Sequence, residues 1–349
     1  MEMTLPARFM SWLNINRACN LRCEWCYAGM MDFGRSENMT LDVVQRSIDF
    51  MKGLPVKEVI LIGGEPTIHP QFLQIVRMLK EAGFRPLVVT NGIEFANREF
   101  LEAAIEAGVN NVTTSLKAAN EEDYERFTGK KMFSTVMTAI KNLNETGIPH
   151  KVCVTVCEDV IEGFDGIIDA LIESKPPLFS FDMGRPVIVN GQVQGDGIAL
   201  PKTMAEFVIK IYPKLLASGI TFNIKMLIPF CLFPRSFIET LIKNDHLSSA
   251  CQIFEGTGII IDPKGRLLPC NHFCDNPLGQ IGIDFSTADE YVQFRLRSDI
   301  ADFYKTMGSC PAQECVDCKY WQYCGGGCRI HWLRYGADEM IGSFSEERR

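Results

Sequence analysis

The sequence has no apolar run that approaches the roughly 20 residues needed for a membrane-spanning helix. Its first residues, MEMTLPARFMSW, lack a basic segment followed by an apolar one, so no secretory signal peptide is predicted. Positive charge is also limited, because 35 Lys and Arg face 43 Asp and Glu, for a net charge of −8. An acidic chain is not typical of nucleic-acid-binding proteins. We therefore expect no membrane and no nucleic acid among its partners.

Cysteine, by contrast, is abundant, and its placement is more informative than its number. Of the fourteen cysteines, three lie between residues 19 and 26 and eight between residues 251 and 328. A secreted disulfide scaffold would be a short chain with cysteines throughout, whereas tight clusters in a long chain indicate metal or iron–sulfur binding. We therefore expect a cytoplasmic protein in a reducing, anaerobic environment.

From residue 9 to 225, short apolar runs such as FMSWLNIN and KEVILIGG alternate with amphipathic runs such as LDVVQRSIDFMKG, for which Thr40 is a plausible N-cap. This alternation predicts about six β/α units and hence a parallel sheet, either open or closed into a barrel. The pattern changes after residue 225. A bridging segment over 226–250 leads to a cysteine-rich domain over 251–340.

Four polar features follow successive predicted strands. Because ligands bind at the carboxyl ends of parallel strands, we expect these features to share one edge of the sheet. Each could be a simple turn, but together they indicate a site. They are Cys19, Cys23 and Cys26 after the first strand, GGEP (Gly63, Gly64, Glu65 and Pro66) after the second, Thr90 and Asn91 after the third, and Ser115 with Lys117 at the fourth.

The spacing C-x3-C-x2-C supplies three thiolates, one short of a filled tetrahedral site. With the aromatic Trp25 before the last cysteine and GGEP after the second strand, it resembles the radical S-adenosylmethionine (radical SAM) enzymes. The resemblance covers residues 9–225 and implies a partial (β/α)6 TIM-like barrel. It also implies a 4Fe–4S cluster whose open iron binds the amino and carboxylate groups of S-adenosylmethionine (AdoMet). Reductive cleavage of AdoMet then gives methionine and a 5'-deoxyadenosyl radical that abstracts a substrate hydrogen.

The same resemblance implies roles for the polar residues on that edge. The GGEP backbone and Glu65 would hold the methionine ammonium, Ser115 would bind ribose or carboxylate, and Arg126 would pair with the carboxylate. Thr90 and Asn91 would support the floor of the pocket. The alternative is that the two glycines only form a turn and that Arg126 lies on a solvated helix face.

The C-terminal cysteines form a second ordered pattern. Residues 251–270 read C-x13-G-x4-C, and residues 315–328 read C-x2-C-x5-C-x3-C. The two halves in this order resemble the SPASM extension of radical SAM enzymes, although C-x2-C is also a zinc-knuckle spacing. The resemblance implies auxiliary 4Fe–4S clusters, a nearer one held by Cys251, Cys270 and Cys328 and an outer one held by Cys315, Cys318 and Cys324.

The chain departs from the SPASM pattern twice. No cysteine follows Cys328, and no obvious fourth cysteine precedes Cys251. The outer cluster therefore needs a substitute ligand or is absent, and the nearer cluster needs another ligand or leaves an iron open to substrate. The candidates are Cys310, which we favour, Asp338 and His331 for the outer cluster, and Cys274, Cys231 and Asp245 for the nearer one.

The remaining cysteines have simpler interpretations. IPFCLFP places Cys231 after the last barrel strand, where it is either a hydrogen-atom donor or auxiliary ligand, or else a packed thiol. Cys153 and Cys157, in or beside an apolar strand, are interpreted as small buried hydrophobes. Asn271 stands where the related sulfatase-maturing enzymes have an aspartate base, so that activity is not expected.

The predicted function is modification of a ribosomally synthesised peptide by crosslinking, oxidation or epimerisation. Auxiliary clusters fit net hydrogen removal because they can accept the second electron. Alternatives are cofactor or small-molecule biosynthesis, such as tetrapyrrole or sugar chemistry, and a non-catalytic iron–sulfur electron carrier. Expected partners are a peptide or small-molecule substrate and a reducing protein of the flavodoxin or ferredoxin type. Because the first strand begins at residue 9, a separate leader-peptide-binding protein or leader-independent binding is also expected.

Overall fold

The computed structural model describes residues 6–29, 37–248, 251–273 and 276–342. Most of its strands form one eleven-stranded sheet in the order β10-β9-β6-β5-β4-β3-β2-β1-β11-β12-β13, and β7 and β8 form a separate hairpin. The strands are β1 (Phe9–Asn16), β2 (Val56–Gly63), β3 (Arg85–Thr90), β4 (Asn111–Ser115), β5 (His150–Val156), β6 (Phe179–Met183), β7 (Val187–Val189), β8 (Gln192–Gln194), β9 (Phe222–Lys225), β10 (Leu247–Ser248), β11 (Gly258–Ile261), β12 (Arg266–Leu268) and β13 (Gly279–Gln280).

Helices follow most of these strands and cover the sheet. They are α1 (Leu41–Lys52), α2 (Phe72–Glu81), α3 (Arg98–Ala107), α4 (Glu121–Thr128), α5 (Phe133–Thr146), α6 (Glu158–Glu162), α7 (Phe164–Ser174), α8 (Pro201–Ser218), α9 (Arg235–Lys243), α10 (Gln252–Glu255), α11 (Ala288–Leu296), α12 (Ser298–Gly308), α13 (Trp321–Cys324), α14 (Arg329–Arg334) and α15 (Ala337–Met340). Short 3-10 turns lie at Pro66–Ile68, Ile93–Ala96, Phe230–Leu232, Asn271–Phe273 and Gln313–Cys315.

The predicted α/β fold with a parallel sheet is confirmed. Strands β1 to β6 pair in parallel in the order of the chain, with Leu13 opposite Leu61 and Leu61 opposite Val88 at the first two pairs. The predicted start of α1 is also correct, because the Thr40 side chain accepts a hydrogen bond from the backbone N–H of Val43. A helix between consecutive strands is what allows them to run in parallel.

The sheet extends beyond the six predicted units at both edges. On one side, β9 adds a parallel strand to β6, with Ile224 opposite Phe181. The sequence pattern did not count β9 because the strand has only four residues. On the other side, β11 pairs in parallel with β1, with Ile261 opposite Leu13. Hydrogen bonds of one sheet therefore join the barrel to the cysteine-rich segment, and the domain boundaries at 225 and 250 stay predictions.

An aromatic cluster reinforces this junction. The ring of Phe50 on α1 lies 5.0 Å from that of Phe285 and 5.4 Å from that of Tyr291 on α11. Phe9 on β1 completes the contact, with its ring 6.4 Å from Tyr291. Edge-on aromatic pairs of this kind add to the stabilisation from burial alone.

Within the described residues, none of the helices combines the length and apolar character that crossing a bilayer demands.

The shared sheet predicts that the two parts unfold together. Ile259 on β11 is fully buried, whereas Ile283 is 75% exposed. We expect Ile259→Ala to lower the free energy of unfolding by about 2–4 kcal/mol, because it leaves a cavity in the core. Ile283→Ala should change it by less than about 0.5 kcal/mol. Urea denaturation followed by circular dichroism and tryptophan fluorescence measures both. If the C-terminal segment unfolded in a separate transition, and the barrel kept its native stability, the shared core would be contradicted.

Candidate functional site

The loop after β1 carries the three cysteines of the first motif, all of them half-buried. Tight turns fold it, with the Cys26 N–H donating to the Cys23 carbonyl at 3.1 Å and the Gly29 N–H to the Cys26 carbonyl at 2.9 Å. Burial raises the pKa of Cys19 to about 11, with smaller contributions from the charges of Glu65, Cys23 and Cys26. The three thiols therefore lie on one folded loop, and their role as cluster ligands stays a prediction.

Two glycines of GGEP allow β2 to pass directly beneath this loop. A Cβ on Gly64 would lie 2.2 Å from the Ala18 carbonyl oxygen, and one on Gly63 would lie 2.3 Å from Asn16 Oδ1. Neither glycine has the positive φ that would mark a turn requirement. The Glu65 N–H donates to the Ala18 carbonyl at 2.7 Å. Close approach of two backbones, rather than turn geometry, is therefore what requires glycine here.

The Glu65 carboxylate connects the loops that follow β2 and β3 by hydrogen bonds. It is 1% exposed and accepts hydrogen bonds from Thr67 N at 3.1 Å, Thr67 Oγ1 at 2.6 Å, Thr90 Oγ1 at 2.7 Å and Asn91 N at 2.7 Å. Burial raises its pKa, although these donors oppose the shift. Asn91 continues the network to the cysteine loop by donating from Nδ2 to Asn20 Oδ1 at 2.6 Å. The roles implied for Glu65, Pro66, Thr90 and Asn91 at AdoMet stay predictions.

The inner face of the sheet carries polar atoms that the chain leaves unpaired. Leu13 and Ile15 pack in the helix-covered core, so Trp12, Asn14 and Asn16 face the opposite side of β1. Trp12 Nε1, Asn14 Oδ1 and Asn16 Oδ1 are buried without a partner among the described residues. Such atoms are rare in folded proteins, and their presence fits a polar ligand such as AdoMet on this face. Ser115 ends β4 and, by alternation with the helix-side Val112, faces the same side of the sheet.

Arg126 lies on an exposed part of α4. Its side chain is 60% exposed, forms an ion pair with Asp123 at 3.0 Å and stacks over the Phe127 ring at 4.6 Å. This position matches the solvated helix face described above, and its implied role at AdoMet stays a prediction. The same helix instead supports the cysteine loop, since Phe127 packs edge-on against Trp25, with ring centroids 5.6 Å apart.

The nearer C-terminal triplet lies near a half-buried cation, Arg185. Burial raises the pKa of Cys328 to about 12, with the Arg185 guanidinium opposing the shift and Cys251 and Cys270 adding to it. Arg185 is held by an ion pair with Asp182 at 3.0 Å. Cys328 is buried, and Cys251 and Cys270 pack against the same hydrophobic core. Their assignment to one cluster stays a prediction, and no sequence motif pointed to Arg185.

The outer group includes the predicted cysteines and one that was assigned elsewhere. Burial raises the pKa of Cys324 to about 12, with Cys231 and Cys315 adding to the shift. Burial likewise raises the pKa of Cys315 to about 11, with contributions from Cys231, Cys310 and Cys318. The sequence analysis considered Cys231 only for the cavity or the nearer cluster. Its neighbours are instead in the outer group, which only the folded chain reveals.

The other ligand candidates are placed as follows. Cys274 lies outside the described residues, and Asp338 is exposed on α15. Burial lowers the pKa of His331 to about 4. Cys157 is buried, as predicted, and Cys153 is half-buried. Among the described residues, no three Cys, His, Asp or Glu side chains are drawn closely enough together to hold a single metal ion.

Direct contacts connect the first cysteine loop to the nearer triplet. Tyr27, next to Cys26, packs its ring edge-on against His272, two residues after Cys270, with centroids 5.1 Å apart. Asn14 Nδ2 donates to Asn271 Oδ1 at 2.9 Å. The two cysteine groups are thus joined by side chains in contact rather than separated by a domain cleft.

Comparison with known proteins identifies the barrel. Residues 13–171 match the radical SAM superfamily. The chain contains a radical SAM domain. It is 22% identical over 334 residues to the Fe-coproporphyrin III synthase of Methanosarcina barkeri, covering 91% of this chain and 82% of that protein. It is 25% identical over 173 residues to the PqqA peptide cyclase of Ruegeria pomeroyi, covering 49% of this chain and 46% of that protein.

Solved structures extend the likeness in fold to nearly the whole chain. anSMEcpe with bound AdoMet superposes with a TM-score of 0.71 at 18% identity, covering 97% of this chain and 94% of that one. Streptococcus suis SuiB bound to its precursor peptide SuiA superposes with a TM-score of 0.68 at 15% identity, covering 97% of this chain and 75% of that one. The predicted partial barrel and the resemblance to SPASM-type radical SAM enzymes are thereby confirmed. This family implies a 4Fe–4S cluster and AdoMet.

The Glu65 network leads to a stability prediction. Glu65→Gln replaces a carboxylate oxygen with an amide that cannot accept from its donors, so we expect the free energy of unfolding to fall by about 2–3 kcal/mol. Glu173 is exposed on α7, and Glu173→Gln should leave stability unchanged. Urea denaturation of the iron-free chain isolates the effect from cluster binding. Equal stability of the two variants would show that the network contributes little.

Proposed function

We propose that this radical SAM enzyme abstracts a hydrogen atom from a ribosomally synthesised peptide and modifies it by crosslinking, oxidation or epimerisation. One observation carries the proposal. The fold over 97% of this chain is similar to that of Streptococcus suis SuiB, a protein solved with its precursor peptide SuiA. Similarity to a PqqA peptide cyclase over half of the chain gives independent support.

The residues present fit the cofactors of the family. Three thiols on one loop suit three irons of a 4Fe–4S cluster and leave one iron free, and the unpaired polar atoms on β1 suit AdoMet beside it. When bound, this pair supplies one-electron chemistry that abstracts a substrate hydrogen atom. The cluster would be held by Cys19, Cys23 and Cys26. The GGEP segment would fix the loop that carries them, through the hydrogen bond from the Glu65 N–H to the Ala18 carbonyl.

The protein's own charges would assist the C-terminal groups. Arg185 and Lys225 share one carboxylate, Asp182, at 3.0 and 3.1 Å, so the trio carries one excess positive charge. In a half-buried setting this charge favours an anionic neighbour, such as thiolates that bind iron at Cys270 and Cys328. A flavodoxin- or ferredoxin-type reductant and a leader-peptide-binding protein stay predicted partners.

A small-molecule substrate is the second candidate. The relative that covers 91% of this chain is an Fe-coproporphyrin III synthase, so a tetrapyrrole is the specific alternative. The match of residues 13–171 to the radical SAM superfamily favours an enzyme over a non-catalytic electron carrier.

The proposal predicts AdoMet cleavage by the first cysteine group. The reconstituted chain, with dithionite and AdoMet under anaerobic conditions, should form 5'-deoxyadenosine, measured by liquid chromatography and mass spectrometry. Cys26→Ala should reduce it to background because it removes one of three cluster ligands. Cys153→Ala, a half-buried thiol outside the three groups, is the matched control. Product from Cys26→Ala at the native rate would refute the assignment.

Isotope transfer then identifies the substrate class. A deuterated peptide encoded by a neighbouring reading frame should pass deuterium into 5'-deoxyadenosine. Transfer from a deuterated iron coproporphyrin, and none from the peptide, would favour the second candidate and overturn the peptide proposal.

A further inference from the structure

The outer cysteine group lacks the ligand that usually follows Cys328. Residues 329–349 contain no cysteine. Along the described part of this tail, the chain packs onto the 3-10 turn Phe230–Leu232. A Cβ on Gly342 would lie 2.1 Å from the Cys231 carbonyl oxygen, and the Cys231 thiol donates to the Met340 carbonyl at 3.6 Å. The tail therefore covers Cys231.

We infer that Cys231 supplies the fourth thiolate of the outer iron–sulfur cluster, together with Cys315, Cys318 and Cys324. The inference rests on the proposed auxiliary clusters. It assigns the ligand to the loop after β9, which belongs to the barrel side of the chain, rather than to the C-terminal segment.

The contact between the turn and the outer group carries the inference. The backbone N–H of Phe230, adjacent to Cys231, donates to Cys324 Sγ at 3.3 Å. The Phe230 ring also lies 6.3 Å from that of Tyr320, which stands between Cys318 and Cys324. Backbone N–H groups directed at ligand sulfurs are a usual feature of iron–sulfur sites, where they tune the cluster.

The turn holds Cys231 in a fixed position. Leu232 N–H donates to the Pro229 carbonyl at 3.1 Å, and Phe233 N–H donates to the Phe230 carbonyl at 3.1 Å. Cys231 is 8% exposed. A ligand held by the backbone on both sides loses little freedom when it binds iron, which favours coordination.

Cys310, which the sequence favoured, lies on a different segment. The turn that carries Cys231 contacts the outer group directly, through the hydrogen bond from the Phe230 N–H to Cys324 Sγ. Cys310 is half-buried. It follows Met307 and Ser309, whose carbonyls accept hydrogen bonds from the Arg329 side chain.

Coordination by Cys231 would join the barrel to the C-terminal segment through iron. A thiol that binds iron releases its proton, so its hydrogen bond to Met340 is exchanged for a metal bond without any change in oxidation state. The cluster would then link the loop after β9 to the Cys315–Cys324 segment, in addition to the shared sheet.

Iron counting in single variants tests the inference. Cys231→Ala, Cys310→Ala and Cys153→Ala are purified and reconstituted anaerobically, then compared for iron and sulfide per chain and for Mössbauer and EPR spectra. Cys231→Ala should lose about one to four irons, the smaller loss appearing as an oxidised 3Fe–4S signal, because one ligand of a four-ligand site is gone. Cys310→Ala and Cys153→Ala should keep the native content.

The outcomes are exclusive. Native iron content in Cys231→Ala, with or without loss in Cys310→Ala, overturns the inference. Cys231→Ser keeps the side-chain size and the donor to Met340, so a spectral change in a normally folded Cys231→Ser variant separates ligation from misfolding. Formation of 5'-deoxyadenosine by the native chain tests the proposed function independently, since it depends on the first cysteine group.

Discussion

The geometry of the site depends on one buried carboxylate. Glu65 is surrounded by four donors from Thr67, Thr90 and Asn91, and its own backbone carbonyl accepts from Asn16 Nδ2 at 2.7 Å. A carboxylate buried without such partners would cost several kcal/mol, so the loops after β1, β2 and β3 are stable only in the arrangement that surrounds it. The cysteine loop rests on that arrangement through Ala18.

The second constraint is the continuous sheet. Because β11 pairs with β1, the C-terminal segment is joined to the strand that precedes the first cysteine loop. Contacts such as Tyr27 with His272 and Asn14 with Asn271 add to this connection. In the proposed function, the connection would keep a fixed distance between groups that exchange electrons. It also gives the half-buried charges around Arg185 a constant position.

The sequence predicted what depends on local pattern. Apolar periodicity located β1 to β6, a capping threonine located the start of α1, and cysteine spacing separated the three thiol groups. The sequence pattern could not predict contacts between segments that are distant along the chain. Phe230 and Cys324 lie 94 positions apart, so nothing local associates Cys231 with the outer group. The close approach that requires Gly63 and Gly64 was not predicted either, because the backbone that approaches them follows another strand.

The central claim is that the first cysteine group leaves one iron open for AdoMet. Electron–nuclear double resonance on the reduced, reconstituted chain tests it most directly, with AdoMet labelled by 15N at the amino group and 17O at the carboxylate. The account predicts hyperfine coupling from both labels to the cluster, absent in Cys26→Ala. A native cluster whose spectrum is unchanged by AdoMet, with no coupling from either label, would contradict it.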